Sequence, residues 1–139
     1  MTVALRIVRT GRPTGLRLKK AEDVFQVMRP KARGLDREYV WRLDLDSRDE
    51  LLGYEVVSIG SLTCSIVEPR EVFKGAILGN AASIILCHSH PSQDVRPSQD
   101  DKKLTLRLGM IGHLMGIQLS DHIILADDRY FSFKESGLI

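Results

Sequence analysis

A short apolar run, Ile84-Ile85-Leu86-Cys87, constrains the fold of this chain more than any other stretch. Consecutive apolar residues without polar alternation are typical of a strand that is covered on both faces of its sheet. The run is followed by a loop bracketed by Pro91 and Pro97, after which the pattern predicts a helix from Ser98. The sequence therefore predicts a strand–loop–helix unit inside a layered domain.

The patterns on either side of this unit predict further helices and strands. Apolar residues at helical spacing predict helices over 20–33, 68–78 and 98–115. Alternating or continuous apolar runs predict strands over 3–8, 38–45, 51–58, 62–67, 83–87, 117–119, 123–126 and 130–133. Elements in this order favour an α/β fold in which helices flank a mixed β-sheet.

Each predicted helix has an apolar face that we expect to pack against the sheet. These faces are Val24, Val27 and Met28 in the first helix, Val72, Phe73, Ala76 and Ile77 in the second, and Leu104, Leu108, Ile111 and Met115 in the third. We expect Pro30 and Gly34 to end the first helix, and Gly116 to end the third.

The composition is that of a soluble globular protein. A chain of 139 residues, 43% hydrophobic and 27% charged, suits one compact domain with its own core. A net charge of +2 is too small to indicate a nucleic-acid-binding protein. No apolar run approaches the roughly 18–20 residues that span a bilayer. Because Cys64 and Cys87 belong to no Cys-x-x-Cys pair, the cytoplasm is the expected compartment.

The beginning of the chain is locally basic. We divide the chain into a basic N-terminal arm, 1–19, and a domain, 20–139. An arm of this kind can contact phosphates, which makes DNA a candidate partner. The aromatic residues of a base-stacking surface are missing here, so a solvated leader is the simpler explanation. The basic residues that precede the first acidic residue, Glu22, are Arg6, Arg9, Arg12, Arg17, Lys19 and Lys20.

Two histidines leave the apolar strand together. Alternate residues of a strand face the same side, so His88 and His90 should face one ion while Ser89 points away. Asp101 follows His90 by eleven residues, across a loop short enough to fold back. Two imidazoles and one carboxylate leave a fourth tetrahedral position for water, which is typical of a catalytic zinc site.

Simpler explanations exist for the same residues. A His-x-His pair alone is weak evidence for a metal, and Ser98-x-x-Asp101 has the spacing of a helix-capping box. Capping and metal binding need not exclude each other. Other zinc patterns fit less well, because Ser92 replaces the aspartate of a metallo-β-lactamase-type motif and neither His-Glu-x-x-His nor a deaminase signature occurs.

The motif as a whole resembles that of a known enzyme family. His88-Ser89-His90-Pro91, six residues, then Ser98-Gln99-Asp100-Asp101 is similar to the JAMM (MPN-plus, JAB) metalloprotease motif, His-x-His-Pro-x6-Ser-x-x-Asp. More narrowly, residues 20–139 resemble the C-terminal domain of RadC-type proteins, which has similar words at Pro69–Phe73, Asn80–Ala82, Pro97–Ser98 and Asp121–Ile124. The resemblance implies a cytidine-deaminase-like JAB/MPN fold.

The resemblance also implies a set of metal ligands. It implies a Zn²⁺ ion held by His88, His90 and Asp101, with Ser98 supporting the oxyanion that develops during catalysis.

A glutamate completes the machinery that the resemblance implies. The family uses a glutamate at a strand start, early in the domain, as general acid and base. Glu38 is the matching position, because it follows the first helix and begins the next strand. Glu55, on the following strand, is the alternative.

Two departures and two further histidines complete the picture. Ser89 and Gln93 stand where RadC-type proteins usually have asparagine and glycine. We expect Ser89 to leave metal binding intact and Gln93 to alter the loop through which a substrate enters. We expect a structural hydrogen bond for His122 and a solvated position for His113.

The function predicted on this basis is that of a JAMM-type zinc metallopeptidase acting on a peptide or isopeptide bond. Substrate identity and oligomeric state are not encoded in any recognisable pattern. The alternative is a non-catalytic metal-binding accessory domain in DNA repair or mobile-element function. RadC-type proteins commonly carry a helix-hairpin-helix region before this domain; since we expect none within residues 1–19, we do not carry DNA binding over from the resemblance.

Overall fold

A computed structural model of the protein describes residues 14–60 and 67–139. These residues form α1 (Ala21–Ala32), β1 (Glu38–Leu45), β2 (Leu51–Gly60), α2 (Pro69–Leu78), β3 (Ser83–Ser89), α3 (Gln99–Met115), β4 (Gln118–Leu125) and β5 (Tyr130–Ser132). The strand predicted over 3–8, and all of the one predicted over 62–67 except Val67, lie outside the described residues.

The strands form one mixed sheet in the order β2-β1-β3-β4-β5. β1 is antiparallel to both β2 and β3, and β5 is antiparallel to β4. β3 and β4 are parallel, so the chain must cross the sheet between them, and α3 makes that crossing. The predicted mixed sheet flanked by helices is confirmed, and it agrees with the JAB/MPN fold that the resemblance implies.

Helices cover both faces of the sheet. On the face covered by α1, Phe25 and Met28 pack with Trp41, Ile85 and Cys87. On the opposite face, the buried residues of α2 and α3 pack with those of the strands, including Val40, Val72, Phe73, Ile84, Leu86, Leu104 and Leu108. Successive residues of β3 thus enter different cores, which confirms that this strand is covered on both faces.

Residues just before α1 also contact the sheet. Leu18 is buried, and Arg17 forms an isolated antiparallel β-bridge with Glu50. The division of the chain at residue 20 stays a prediction. Across residues 14–60 and 67–139, no helix combines the length and the apolar character that crossing a bilayer requires.

The expectation that Pro30 ends the first helix is wrong, because Pro30 lies inside α1. Proline has no N–H and cannot bond to the carbonyl four residues earlier. Met28 and Ala32, on either side of it, are both buried. Their packing against the sheet keeps the last turn helical without that hydrogen bond.

The separate strands expected over 117–119 and 123–126 are one strand, β4. The side chains of the polar pair Asp121 and His122 are buried and bond to Ser132 in β5 and Thr105 in α3, so the strand continues through them. The expected burial of Ile77 and Met115 is also wrong, since they are 53% and 43% exposed. Both line an open groove between α2 and α3 rather than the core.

A buried ion cluster joins β1, β2 and α2. The guanidinium of Arg42 donates to both carboxylate oxygens of Asp44, at 2.7 and 3.1 Å, and to Glu55 Oε1 at 2.9 Å. It also donates to the Val72 carbonyl in α2 at 3.2 Å. A Cβ at Gly75 would overlap the Arg42 guanidinium, so α2 can pack this closely because residue 75 has no side chain.

We expect Gly75→Ala to lower the free energy of unfolding by roughly 1–3 kcal/mol, since the added methyl must displace a guanidinium held by two carboxylates. The matched control is Gly109→Ala in α3, where nothing lies within 4 Å of an added Cβ. There alanine should raise stability by about 0.5–1 kcal/mol through helix propensity alone. Chemical denaturation measures both, and equal stability of Gly75→Ala and wild type would contradict the prediction.

Candidate metal centre

Three potential ligand atoms converge where β3 ends and α3 begins. His88 is in β3, His90 follows the strand directly, and Asp101 is in the first turn of α3. The Nε2 atoms of the two histidines are 2.7 Å apart. Asp101 Oδ1 is 3.4 Å from His88 Nε2, and Oδ2 is 3.7 Å from His90 Nε2. The three residues thus form a cluster, with ligand atoms within 4.8 Å of one another, that could hold a metal ion.

The cluster is shielded from water on one side and open on the other. The side chains of His88 and Asp101 are 0% and 1% exposed, whereas that of His90 is 13% exposed. Burial lowers the pKa of His88 well below its ordinary value, and the neighbouring rings of His122 and His90 lower it further. Burial also raises the pKa of Asp101, because it disfavours the charged carboxylate.

A helix cap orients Asp101. Its backbone N–H donates to Ser98 Oγ at 3.0 Å, and its Oδ2 accepts the Ser98 backbone N–H at 2.7 Å. This is the reciprocal capping box that the spacing allowed. The cap and the cluster use the same carboxylate, so the two readings of Ser98-x-x-Asp101 are compatible.

The loop after β3 orients His90. The Nδ1–H of His90 bonds to the backbone carbonyl of Asp94. Gln93, in the turn between them, adopts a left-handed conformation with φ of 67°. Its Oε1 accepts the backbone N–H of Asp127 at 2.7 Å, which ties this loop to the segment after β4. Hydrogen bonds from Arg96 lower the pKa of Asp94 to about 2, so this exposed side chain is charged near neutral pH.

A cavity of about 210 Å³ opens onto the cluster. Glu38, at the start of β1, lines it together with His90, Ser98 and Asp101. Glu55 is not among the lining residues and instead bonds Arg42 inside the core. The structure therefore brings Glu38 and Ser98 to the cluster and does not bring Glu55 there, while the catalytic roles of Glu38 and Ser98 stay predictions.

Two neighbours of His88 take no part in the cluster. Ser89 turns away, as expected, and its Oγ accepts the Tyr39 backbone N–H at 3.1 Å. Cys87 faces the core on the α1 side. Burial raises the pKa of its thiol well above the ordinary value, and Asp121 raises it further, so the thiol stays protonated. His113 is exposed, as predicted.

His122 in β4 is closer to the cluster than the sequence suggested. The predicted structural hydrogen bond is confirmed, but its partner is the candidate ligand His88, with 2.7 Å between His122 Nε2 and His88 Nδ1. Its other ring nitrogen is 2.6 Å from Thr105 Oγ1. Burial lowers the pKa of His122 to about 3, so the ring is neutral. The sequence signal for this role was the polar pair Asp121-His122, which directly precedes the apolar residues Ile123–Leu125 of β4.

The donor set fits zinc. Neutral imidazole nitrogens and a carboxylate oxygen are ordinary zinc ligands, and three protein donors are typical of catalytic sites that keep one position open. Because burial keeps His88 neutral, its Nε2 requires no deprotonation to become a ligand. The identity of the metal stays a prediction.

Comparisons with known proteins identify the family of this chain. The family described as "RadC-like JAB domain" matches residues 18–138. A UPF0758 protein of Methanococcoides burtonii is 44% identical over 123 residues, which cover 88% of this chain and 54% of that protein. One from Methanosarcina acetivorans is 48% identical over 118 residues, covering 85% and 52%.

A third relative is similar in identity and in coverage. A UPF0758 protein of Chlorobaculum tepidum is 41% identical over 129 residues, which cover 93% of this chain and 58% of that protein. The chain therefore spans about half the length of the curated relatives it matches. Their shared name states no activity.

We expect Asp101→Asn to remove bound zinc without unfolding α3. The amide oxygen can still accept the Ser98 N–H, but the charge that attracts a cation is gone. Elemental analysis after dialysis should give about one zinc per chain for wild type and far less for the variant. The control is the neighbouring Asp100→Asn, which should match wild type. Equal zinc in Asp101→Asn and wild type would exclude Asp101 as a ligand.

Variants of Gln93 should separate two opposing effects on the loop. Gln93→Ala keeps the left-handed strain and loses the bond to Asp127, so its free energy of unfolding should fall by about 1 kcal/mol. Gln93→Gly loses the same bond but relieves backbone strain of about 1–2 kcal/mol. Its free energy of unfolding should therefore be higher than that of the alanine variant. Thermal or chemical denaturation compares them, and the reverse order would contradict this account.

Proposed function

Because the chain belongs to the RadC-like JAB domain family, we propose that it is a zinc-dependent hydrolase of peptide or isopeptide bonds, of the JAMM type. The observation that carries the proposal is a cluster of His88, His90 and Asp101 whose latter two members line a cavity together with Glu38 and Ser98. A binding cluster alone would not require a second carboxylate and a hydroxyl at the same opening.

His88, His90 and Asp101 hold the metal in this proposal. A zinc ion in their grasp supplies Lewis-acid chemistry, which polarises a carbonyl group and makes water more acidic. The carboxylate of Asp101 offsets part of the cationic charge, and the cap with Ser98 fixes its orientation. The buried side of the cluster limits the approach of substrate and water to the side of His90 and the cavity.

Glu38 is the acid and base of the reaction. Its carboxylate accepts a proton from the attacking water as the oxygen of that water bonds to the scissile carbonyl carbon. It then gives the proton to the amine nitrogen as the carbon–nitrogen bond breaks. Its position on the cavity wall, where β1 begins, supports this assignment over the alternative Glu55, which is engaged with Arg42.

Ser98 stabilises the negative charge that develops on the carbonyl oxygen. A hydroxyl can donate one hydrogen bond while accepting others. Since Ser98 Oγ accepts from the Asp101 N–H, the cap orients the oxygen and leaves the hydroxyl proton able to reach an oxyanion. A donor held in place before the reaction starts needs no reorganisation during it.

The proposed substrate is a protein or peptide whose scissile bond reaches a small opening. A cavity of about 210 Å³ admits the atoms around one amide bond, while the rest of the substrate lies along the surface. The cytoplasm is the proposed compartment, supported by a buried free thiol at Cys87.

The alternative is a metal-binding accessory domain without turnover, in DNA repair or mobile-element function. This alternative requires the same three metal ligands but gives Glu38 no catalytic role. The basic residues of 1–19 support DNA as its partner.

Glu38→Gln distinguishes the two candidates. We expect it to retain zinc and to lose at least about 100-fold in kcat, because glutamine cannot accept the proton. Ser98→Ala should retain zinc and lose about 100–1,000-fold, as expected for one oxyanion donor. The assay uses an internally quenched peptide library and a second library joined through lysine ε-amide bonds.

The matched control is Glu50→Gln, another half-buried glutamate, which does not line this cavity. It should behave as wild type in zinc content and in kcat. Zinc-loaded wild type that cleaves neither library, or activity that Glu38→Gln leaves unchanged, would remove the support for the hydrolase and favour the accessory domain.

A further inference from the structure

A series of short hydrogen bonds lies behind the cluster of candidate ligands and connects the side chain of His88 with the backbone of Asp101. His88 Nδ1 is 2.7 Å from His122 Nε2, and His122 Nδ1 is 2.6 Å from Thr105 Oγ1. Thr105 Oγ1 is 2.8 Å from the backbone carbonyl of Asp101. The His88, His122 and Thr105 side chains are all buried, so water does not substitute for any of these partners.

The last contact fixes which group donates and which accepts in every hydrogen bond of the series. A carbonyl oxygen can only accept, so the Thr105 hydroxyl must donate to Asp101. Having used its one proton, the hydroxyl must accept from His122, which therefore carries its proton on Nδ1. His122 Nε2 is then a bare acceptor, and His88 must donate to it from Nδ1. The reverse direction would leave two acceptors, Thr105 Oγ1 and the carbonyl, facing each other without a proton.

The same reasoning applies to His90 from the other side. Its Nδ1 faces the carbonyl of Asp94, so the ring proton is on Nδ1 and Nε2 is bare. The Nε2 atoms of His88 and His90 therefore each carry a lone pair and no proton. They are only 2.7 Å apart and lie beside the Asp101 carboxylate. Every contact in the series has a proton except this one, and this is where a cation satisfies all three groups.

We propose that Thr105 and His122 are positioning residues that hold His88 in its Nδ1–H tautomer, so that its Nε2 lone pair is always presented to the metal. The inference rests on the proposed metal site. A metal-binding histidine usually donates its second N–H to a carboxylate or a carbonyl. Here the acceptor is a neutral imidazole, which can accept at Nε2 because its proton is on Nδ1, where it is donated in a hydrogen bond to Thr105 Oγ1.

Packing fixes the ring that transmits this arrangement. His122 stacks on Phe133 with ring centroids 4.6 Å apart and planes 2° from parallel. A 180° flip of the ring would place carbon atoms where the two nitrogens lie, so both hydrogen bonds would be lost. The direction of the hydrogen bonds is thus set at Thr105, which does not itself belong to the ligand cluster.

Thr105→Val tests the inference with almost no change in shape. Without the hydroxyl, His122 loses the acceptor at Nδ1 and gains by moving its proton to Nε2, which pushes the His88 proton onto its own Nε2. We expect zinc affinity to fall by about 10–100-fold, the usual effect of losing an outer hydrogen bond to a ligand. Thr105→Ser keeps the hydroxyl and should retain wild-type affinity. His122→Gln, which offers an acceptor near the Nε2 position, should bind zinc better than His122→Phe.

Ring nitrogen chemical shifts give a readout that a merely structural role would not change. In metal-free wild type, long-range ¹H–¹⁵N correlation should show His88 and His122 protonated on Nδ1. In Thr105→Val both should shift to the Nε2–H form, whereas Thr105→Ser should match wild type. An Nε2–H tautomer of His88 in wild type would overturn the proposal.

Unchanged zinc affinity and unchanged tautomers in Thr105→Val would overturn it as well. The wild-type spectrum requires no substitution, so a variant that fails to fold does not remove the test. The two proposals fail separately. Wild type with the expected tautomers but no zinc binding refutes the metal site alone, and wild type that binds zinc through a His88 with the other tautomer refutes the positioning role alone.

Discussion

Parallel pairing of β3 with β4 is the constraint on which the site depends. Parallel neighbours cannot be joined by a tight turn, so the chain must return across the sheet through α3. That return places the first turn of α3 beside the end of β3, where His88 lies, and brings His122 in β4 within reach of the same ring. This one connection thus brings together the candidate ligands His88 and Asp101 and the supporting His122, while the loop after β3 orients His90.

The interior contains two buried polar clusters that differ in their charges. Around Arg42, opposite charges meet, with Asp44 and Glu55 bonded to one guanidinium. Around His88 the groups are neutral, since burial lowers the pKa of both His88 and His122. The first cluster anchors α2 to the sheet, and Glu55 Oε2 is a buried oxygen in it that has no hydrogen-bond partner among the described residues. The second has one contact without a proton, between the Nε2 atoms of His88 and His90, and this is the place that could hold a metal ion.

Local pattern was sufficient wherever the structure depends on near neighbours. Strand alternation and a helix start predict that His88, His90 and Asp101 meet, and the bounds of β1 follow from its alternating residues. Family resemblance was needed for Glu38, because its approach to the cavity depends on the pairing of β1 with β3.

The misses at Pro30 and in β4 share one physical cause, which is that tertiary packing outweighs local preference. The last turn of α1 continues past Pro30 because its neighbours are buried. Asp121 and His122 stay within β4 because each finds buried partners. The contact of His122 with His88 follows from the register between two strands, which no pattern within either strand encodes.

The separation of Glu38 from the ligands along the chain has a consequence for folding. His88, His90 and Asp101 lie within 14 consecutive residues, whereas Glu38 is 50 residues before His88. Contacts between distant residues cost more loop entropy to close and are the later ones to form. In the proposed site, a partly opened state in which β1 has left β3 would therefore keep the three candidate ligands together and separate Glu38 from them. Under the proposed function, metal binding would then depend on residues close together along the chain, whereas proton transfer by Glu38 would depend on a contact between distant ones.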